Sequence, residues 1–273
     1  LLQVEKGNSI EFDAVFPILH GQYGEDGTLQ GMLDVIGIPY VGSRCGASWV
    51  CMDKSLTKMV CEKNGIPVGP YLVLRSVEEM HERLAEIERF TFPVFVKPSC
   101  QGSSVGITKV KNREGLQAAV EKALSFDRLC LVEKAIVGRE IECAVLGLKA
   151  SPRASLPGEI LVSSKAEWYS YEAKYLGGDL AKTQTPADLS PELTKEVQRL
   201  AEKTFQVLEC DGLARIDMLL ETASGKLYLN EPNTLPGFTP ISMYPQMWEA
   251  SGLPYSQLIS ELIELAFARN KQT

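Results

Sequence analysis

Two apolar-rich runs within residues 213–238 (LARIDMLLETASGKLYLNEPNTLPGF) flank Ala223, Ser224 and Gly225, and the pattern predicts an antiparallel hairpin whose glycine is free to take positive φ. With Ser224 at the centre of the turn, Thr222 pairs with Lys226, Asp217 with Glu231 and Arg215 with Asn233. Arg215, Asp217, Glu231 and Asn233 then share one face, and a slip of one residue would turn Asp217 away. Upstream, residues 13–19 (DAVFPIL) read as a buried strand and residues 20–27 (HGQYGEDG) as a tight loop at its end. Leu29, Met32, Leu33 and Ile36 repeat at helical spacing, and together these make a βαβ unit. A helix is expected over residues 47–63, with Trp49, Met52, Leu56, Met59 and Val60 on one face. Ser76 and Glu79 form a capping box for a helix carrying Val77, Met80, Leu84 and Ile87. Strands follow at 92–98 and 107–110, separated by the small-residue loop 99–106 (SCQGSSVG), then a helix at 113–126 and strands at 129–134 and 138–147. Residues 151–189 are the least regular, polar but interleaved with aromatics, in the manner of a lid. Ser190 and Pro191 open a long helix to Leu208, and a closing helix runs from Tyr255 to about Arg269. The opening LLQVEKG reads as a polar lead-in rather than a first core strand.

Composition narrows the class. At 273 residues and 45% hydrophobic, the chain can bury a large core in two or three lobes. A net charge of −7 argues against a nucleic-acid or anionic-membrane surface, so the basic residues that matter are local. No apolar run reaches membrane-spanning length. Seven cysteines without C-x-x-C spacing fit reduced thiols in a cytoplasm better than a disulfide framework or a zinc site.

Candidate chemistry gathers at two places. Directly opposed carboxylates at about 5 Å repel by roughly 1 to 3 kcal/mol, so Asp217 and Glu231 call for a cation between them. Their hard oxygens, with that of Asn233, suit Mg²⁺ completed by phosphate groups. The alternative is a solvated face neutralised by Arg215. Loop 99–106 lets backbone N–H groups approach an anion, with Lys97 supplying a point charge, yet it is neither a Walker A loop nor G-x-G-x-x-G. A flexible hairpin turn would look similar. His20 lies in a glycine-rich loop beside Glu25, and Lys54 points off the apolar stripe of its helix.

Taken together, HGQYGEDGTLQG, PYVGS, MDKSLTK, VKPSCQGSSVG, EKAIVGREIE, PGEI, YEAKY, ARIDM and LNEPNTLPGFTPISMYP closely resemble the D-alanine:D-alanine ligases of the ATP-grasp superfamily, in the family's order and over nearly the whole chain. The resemblance implies an α/β protein with an ATP-grasp fold in three lobes: an incomplete amino-terminal βαβ domain (1–46), a central lobe (47–136) and a carboxyl-terminal lobe with hairpin and lid (137–273). It implies ATP held by Lys54, Lys97, the Ser103 loop and Lys174, with Glu133, Lys134 and Ile136 at the adenine, Glu140 at the ribose and Trp168 over the base. Asp217, Glu231 and Asn233 match ligands of two Mg²⁺ or Mn²⁺ ions. Arg215 and the Gly237 N–H match the groups that stabilise the tetrahedral intermediate. His20 stands beside the first D-alanine, Ser242 and Met243 at the second, and Tyr175 on the lid is placed to bond Ser103. The family's first strand, glycine-rich turn and ammonium-binding glutamate have no counterpart here, which suggests a missing first segment. A D-alanine:D-lactate ligase is the nearest alternative, disfavoured by Tyr175, and a non-catalytic ATP-binding protein is the alternative of another class. Two D-alanine molecules, a homodimer and a cytoplasmic role in peptidoglycan precursor supply complete what the resemblance implies.

Overall fold

The computed structural model describes residues 2–5, 8–162, 181–240 and 242–271. The chain opens on a two-stranded ladder, β1 (Leu2–Glu5) against β2 (Asn8–Ile10), in place of a polar lead-in. Residues 13–19 form no full strand. Val15 makes a single parallel bridge to Tyr40, with its N–H on Pro39 O and its carbonyl accepting from Val41, both at 2.9 Å. Between the bridged residues runs α1 (Thr28–Ile36), so the βαβ connection survives in minimal form. Its apolar stripe does not pack as the spacing suggests: Leu33 is buried, but Met32 and Ile36 are exposed.

The helix expected over 47–63 is two helices, α2 (Cys45–Met52) and α3 (Lys54–Lys63). Asp53 divides them by taking an extended conformation and capping α3. Its carboxylate accepts from the Ser55 and Leu56 N–H groups (2.9 and 3.2 Å) and from the Ser55 and Ser99 hydroxyls (both 2.6 Å). Aspartate competes with the backbone inside a helix and satisfies orphan N–H groups at its start, so the break follows from the residue type. Its consequence is positional: Lys54 begins a helix against loop 99–106, with its N–H on Ser99 O at 3.0 Å.

The central sheet comprises β3 (Tyr71–Leu74), β4 (Val94–Pro98), β5 (Thr108–Val110) and β6 (Cys130–Lys134), all antiparallel in the order β3–β6–β4–β5. Its core, including Leu74, Val96 and Val132, is closed by α4 (Val77–Glu82), α5 (Leu84–Glu88) and α6 (Leu116–Leu124). Ser76 accepts from the Glu79 N–H as a cap should, but Glu79 reaches back to the Arg75 N–H (2.8 Å), and the expected single helix breaks at Arg83.

The larger sheet comprises β7 (Gly138–Gly147), β8 (Arg153–Ala154), β9 (Gly158–Val162), β10 (Ala181–Gln184), β11 (Gly212–Glu221) and β12 (Leu227–Asn233). They run in the order β10–β9–β7–β11–β12, with β8 beside β7. Three of these strands fall within the stretch whose pattern reads as least regular. Alternation divides the sheet's two faces. Ile141, Cys143, Val145, Ala214, Ile216 and Met218 point into a core completed by α7 (Pro191–Val207) and by Cys51 and Cys61 of α2 and α3. Those two helices therefore pack on this sheet's core, although residues 47–63 fall within the stretch the resemblance gives to the central lobe. The opposite face is apolar at one end, where Ala144, Leu146 and Leu213 meet α8 (Met243–Ala250) and α9 (Tyr255–Asn270), and charged at the other. The PYVGS segment is tied to the foot of β11 by Ser43, whose hydroxyl bonds both backbone groups of Asp211 (3.2 and 3.3 Å), and by the buried Arg269, which donates to the Tyr40 and Gly42 carbonyls.

Candidate active site

The hairpin brings the expected residues together by a route the turn alone does not reveal. The connection is Thr222–Gly225, with the Glu221 N–H on Lys226 O and the Gly225 N–H on Glu221 O (both 2.9 Å), so Lys226 faces Glu221 and not Thr222. Near the turn, Leu220 therefore pairs with Leu227 and Met218 with Leu229, one residue off the register centred on Ser224. Asn230 is then unpaired, a β-bulge, beyond which Asp217 faces Glu231 and Arg215 faces Asn233 as expected. The bulge decides the chemistry. Leu227 and Leu229 face the core, and strict alternation would send Glu231 after them; one extra residue turns it to the opposite face, with Asp217.

On that face, Glu142 of β7, Asp217 of β11 and Glu231 of β12 lie in one row across three paired strands. Arg215 compensates them. Its guanidinium donates to both Asp217 oxygens (2.7 and 2.6 Å) and lies 3.3 Å from Glu142. Burial works against its charge, but Asp217 and Glu142 outweigh burial and hold it protonated well above the usual arginine range. Lys54 reaches the row from α3, 3.5 Å from Glu231 and donating to Gln101 O at 2.7 Å. Asn233 accepts from the Leu235 N–H at 3.1 Å through the side-chain oxygen that a cation would use. Among the described residues, no three His, Cys, Asp or Glu side chains form a self-sufficient metal cage. Two carboxylates and an amide oxygen facing one another fit a hard divalent cation that arrives with phosphate oxygens.

The charged face forms one wall of a cavity of about 590 Å³, a size suited to a nucleotide-sized ligand, whose other wall is the central sheet. Lys97, Lys134, Ile136 and Glu140 line it, with Ser104 of the loop that carries Ser103; Ser103 and Ser104 both take positive φ. Glu133, matched to the adenine by resemblance, has its carboxylate committed elsewhere: Lys97 donates to one oxygen at 2.9 Å and Lys58 lies 3.3 Å from the other. Burial disfavours its ionisation, yet the two ammonium groups hold its pKa down to about 2. Lys97 also approaches the side-chain oxygen of the bulged Asn230, at 3.4 Å. Lys58, Asn230 and Arg139 are cavity residues that the sequence reading misses. Lys58 has a signal, since it stands one turn after Lys54 in MDKSLTK; the bulge has none in a single sequence.

His20 lies near enough to Arg215 and Leu235 for both to influence its titration. Its ring is 4.0 Å from Glu25, which also accepts from the Gly21 N–H. The bond to Glu25 raises the histidine pKa above 6.5, against burial. The raised value means that this contribution to stability is complete below pH 6.5 and is lost as pH rises through the folded-state pKa. An NMR titration is expected to place the His20 midpoint above 6.5, and Glu25→Gln to bring it to 6.5 or lower; an unmoved midpoint would remove Glu25 as the cause.

Gly237 approaches Ser242 so closely that a Cβ there would stand 3.0 Å from its hydroxyl, which is itself within 3.1 Å of the Thr239 N–H. Met243, expected beside the second substrate, has its side chain in the core, its sulfur accepting from the Thr185 hydroxyl at 3.5 Å. What that position offers a ligand is the start of α8, where backbone N–H groups favour an anion. Trp168, Tyr169, Lys174 and Tyr175 lie outside the described residues.

Comparison with known proteins supplies the family. Residues 60–264 match the description "D-ala D-ala ligase C-terminus" and residues 2–43 match "D-ala D-ala ligase N-terminus". The D-alanine--D-alanine ligase of Solibacter usitatus is 48% identical over 268 residues, spanning 98% of this chain and 81% of that protein. Among solved structures, the VanG D-Ala:D-Ser ligase of Enterococcus faecalis superposes with a TM-score of 0.83 at 38% identity, covering 95% of this chain and 74% of that one. The Bacillus anthracis D-alanine--D-alanine ligase complexed with ATP superposes with a TM-score of 0.80 at 30% identity, covering 95% and 81%.

Proposed function

Because this chain belongs to the D-alanine–D-alanine ligase family and has its ATP-grasp fold, we propose that it joins two D-alanine molecules into D-alanyl-D-alanine for peptidoglycan synthesis, at the expense of ATP. The observation that carries this reading is the row of Arg215, Asp217, Glu231 and Asn233 on one sheet face, opening on a cavity whose other wall presents Lys97. In the proposed reaction the carboxylate of the first D-alanine attacks the γ-phosphorus, and ADP leaves. The amine of the second attacks the resulting acyl phosphate, phosphate departs with the bonding electrons, and the amine gives up a proton. Such chemistry asks the protein mainly for positioning and charge compensation.

Lys54, Lys97 and, by resemblance, Lys174 bind the phosphates with the Ser103 loop. Lys134 and Ile136 flank the base, Glu140 meets the ribose, and Trp168 covers the ring. A Mg²⁺ or Mn²⁺ pair held by Asp217, Glu231 and Asn233 would neutralise charge on the transferring phosphate. Arg215 faces the anionic oxygen of the tetrahedral intermediate with the Gly237 N–H, in a site where such donors act strongly. His20, whose pKa Glu25 raises, orients the first substrate; Ser242 and the start of α8 receive the second carboxylate. Tyr175 closes on Ser103. By the same resemblance the protein works as a cytoplasmic homodimer.

A second reading concerns the second substrate, since similarity extends to a D-Ala:D-Ser ligase. Phosphate release and product mass measured with D-alanine, L-alanine, D-serine and D-lactate decide between them. The proposal expects D-alanyl-D-alanine as the main product at neutral pH. A preference for D-serine or D-lactate would reassign the second substrate, and ATP binding without D-alanine-dependent phosphate release would leave a non-catalytic nucleotide-binding protein.

A further inference from the structure

We propose that Lys58 is a positioning residue that sets the charge and place of Lys97 at the nucleotide cavity by sharing the Glu133 carboxylate with it. The inference rests on the reading that this cavity takes ATP. Lys58 follows Lys54 by one turn of α3, and both are buried on the same side of the helix. Its side chain is 3% exposed, with the ammonium nitrogen 3.3 Å from Glu133 Oε1 and 5.6 Å from the Tyr71 ring centroid. Lys97, on β4, takes Glu133 Oε2 at 2.9 Å. Both lysines and Glu133 line the cavity.

The arithmetic of this triad is its function. A buried lysine facing one carboxylate makes a closed, neutral pair whose ammonium is directed at its partner. A second ammonium on the other oxygen takes up part of that negative charge and leaves the triad at +1. Lys97 is then fixed in place by a hydrogen bond and still able to attract an anionic oxygen from the cavity. Glu133 is ionised at any working pH, since its pKa is held down to about 2, so the sharing persists throughout the range in which an enzyme would act. Burial depresses the Lys58 pKa, and Glu133 is the main group opposing that depression. Glu133 is thus the hinge of the arrangement, with one lysine facing the ligand and one behind it.

The test is ATP affinity, measured by displacement of a fluorescent ATP analogue from the full chain, together with the KM values for ATP and D-alanine. Lys58→Met, which takes the triad from +1 to 0, is expected to weaken ATP at least tenfold while the KM for D-alanine stays within twofold. Lys58→Arg, which keeps the charge, should stay within threefold of the parent. The discriminating variant is Lys58→Met combined with Glu133→Gln. It restores +1 on Lys97 and should recover most of the lost affinity, a result that mere packing damage would not give. It also keeps the test alive if the single variant folds poorly, because it leaves no unbalanced buried charge. Parent-like ATP binding by Lys58→Met, or a double variant no better than the single, would overturn the proposal. Failure of the parent itself to bind ATP would overturn the nucleotide reading first, and this inference with it.

Discussion

Arg215→Met is expected to lower dipeptide synthesis by about 10²–10³-fold and, unlike a loss confined to catalysis, to destabilise the fold as well. The guanidinium is the counter-charge for two of the three carboxylates in the row, bonded to both oxygens of Asp217 and 3.3 Å from Glu142, while Lys54 stands at Glu231. Removing one member of a buried charge pair costs about 3–5 kcal/mol, which for a chain of this size corresponds to roughly 5–15 °C in Tm. Without Arg215, charged carboxylates on adjacent strands repel one another, so the deficit is full at neutral pH and shrinks as acid neutralises them. Thermal unfolding at pH 7 and pH 5 checks this. A deficit equal at both pH values would mean that the arginine acts by packing alone.

The second large effect is expected at a residue without a side chain. A Cβ on Gly138 would stand 1.9 Å from the Leu220 carbonyl oxygen and 2.7 Å from its carbon, and this backbone cannot swing aside as a side-chain tip can. Gly138→Ala must therefore pry the start of β7 from the end of β11. The pair separates where Gly138, Arg139 and Glu140 line the cavity. Overpacking of this kind costs about 1–3 kcal/mol or more, and the displaced strand carries Glu140, so a lower Tm should accompany a several-fold rise in the KM for ATP. Gly225→Ala is the contrast. Its φ of 68° makes alanine unfavourable by about 1 kcal/mol, yet nothing lies within 4 Å and Gly225 is not among the residues lining the cavity, so ATP binding should change far less than with Gly138→Ala. Equal effects of the two substitutions on ATP would contradict the close approach of β7 to β11.

What the sequence made legible and what it hid differ by range of interaction. Local chemistry was readable: the Ser190 cap, the extent of β7 and the pairing of Asp217 with Glu231 all follow from residue type and alternation. The last of these holds for a reason other than the one the turn supplies, because a four-residue connection and the bulge at Asn230 offset one another. The break at Asp53 goes unread, because the helical periodicity on either side of it conceals the cap. Non-local partners were not legible. Nothing near Glu133 says that Lys58 and Lys97, from a helix and a neighbouring strand, meet on its carboxylate. Met243 has the same chain neighbours whether its side chain faces a ligand or the core, and only the core it shares with Phe238, Tyr244 and Met247 decides. The exposed stripe of α1 errs in the opposite sense, since helical periodicity predicts a buried face without saying what buries it.

The hairpin face is the place where the phosphate-bound cation would be held. Electron paramagnetic resonance of Mn²⁺, titrated with ATP and either the parent chain or Asp217→Asn, reads that directly without requiring turnover. The parent should take up Mn²⁺ beyond what ATP binds by itself, and Asp217→Asn should lose at least tenfold in that affinity. Identical Mn²⁺ uptake by the two proteins would contradict the assignment.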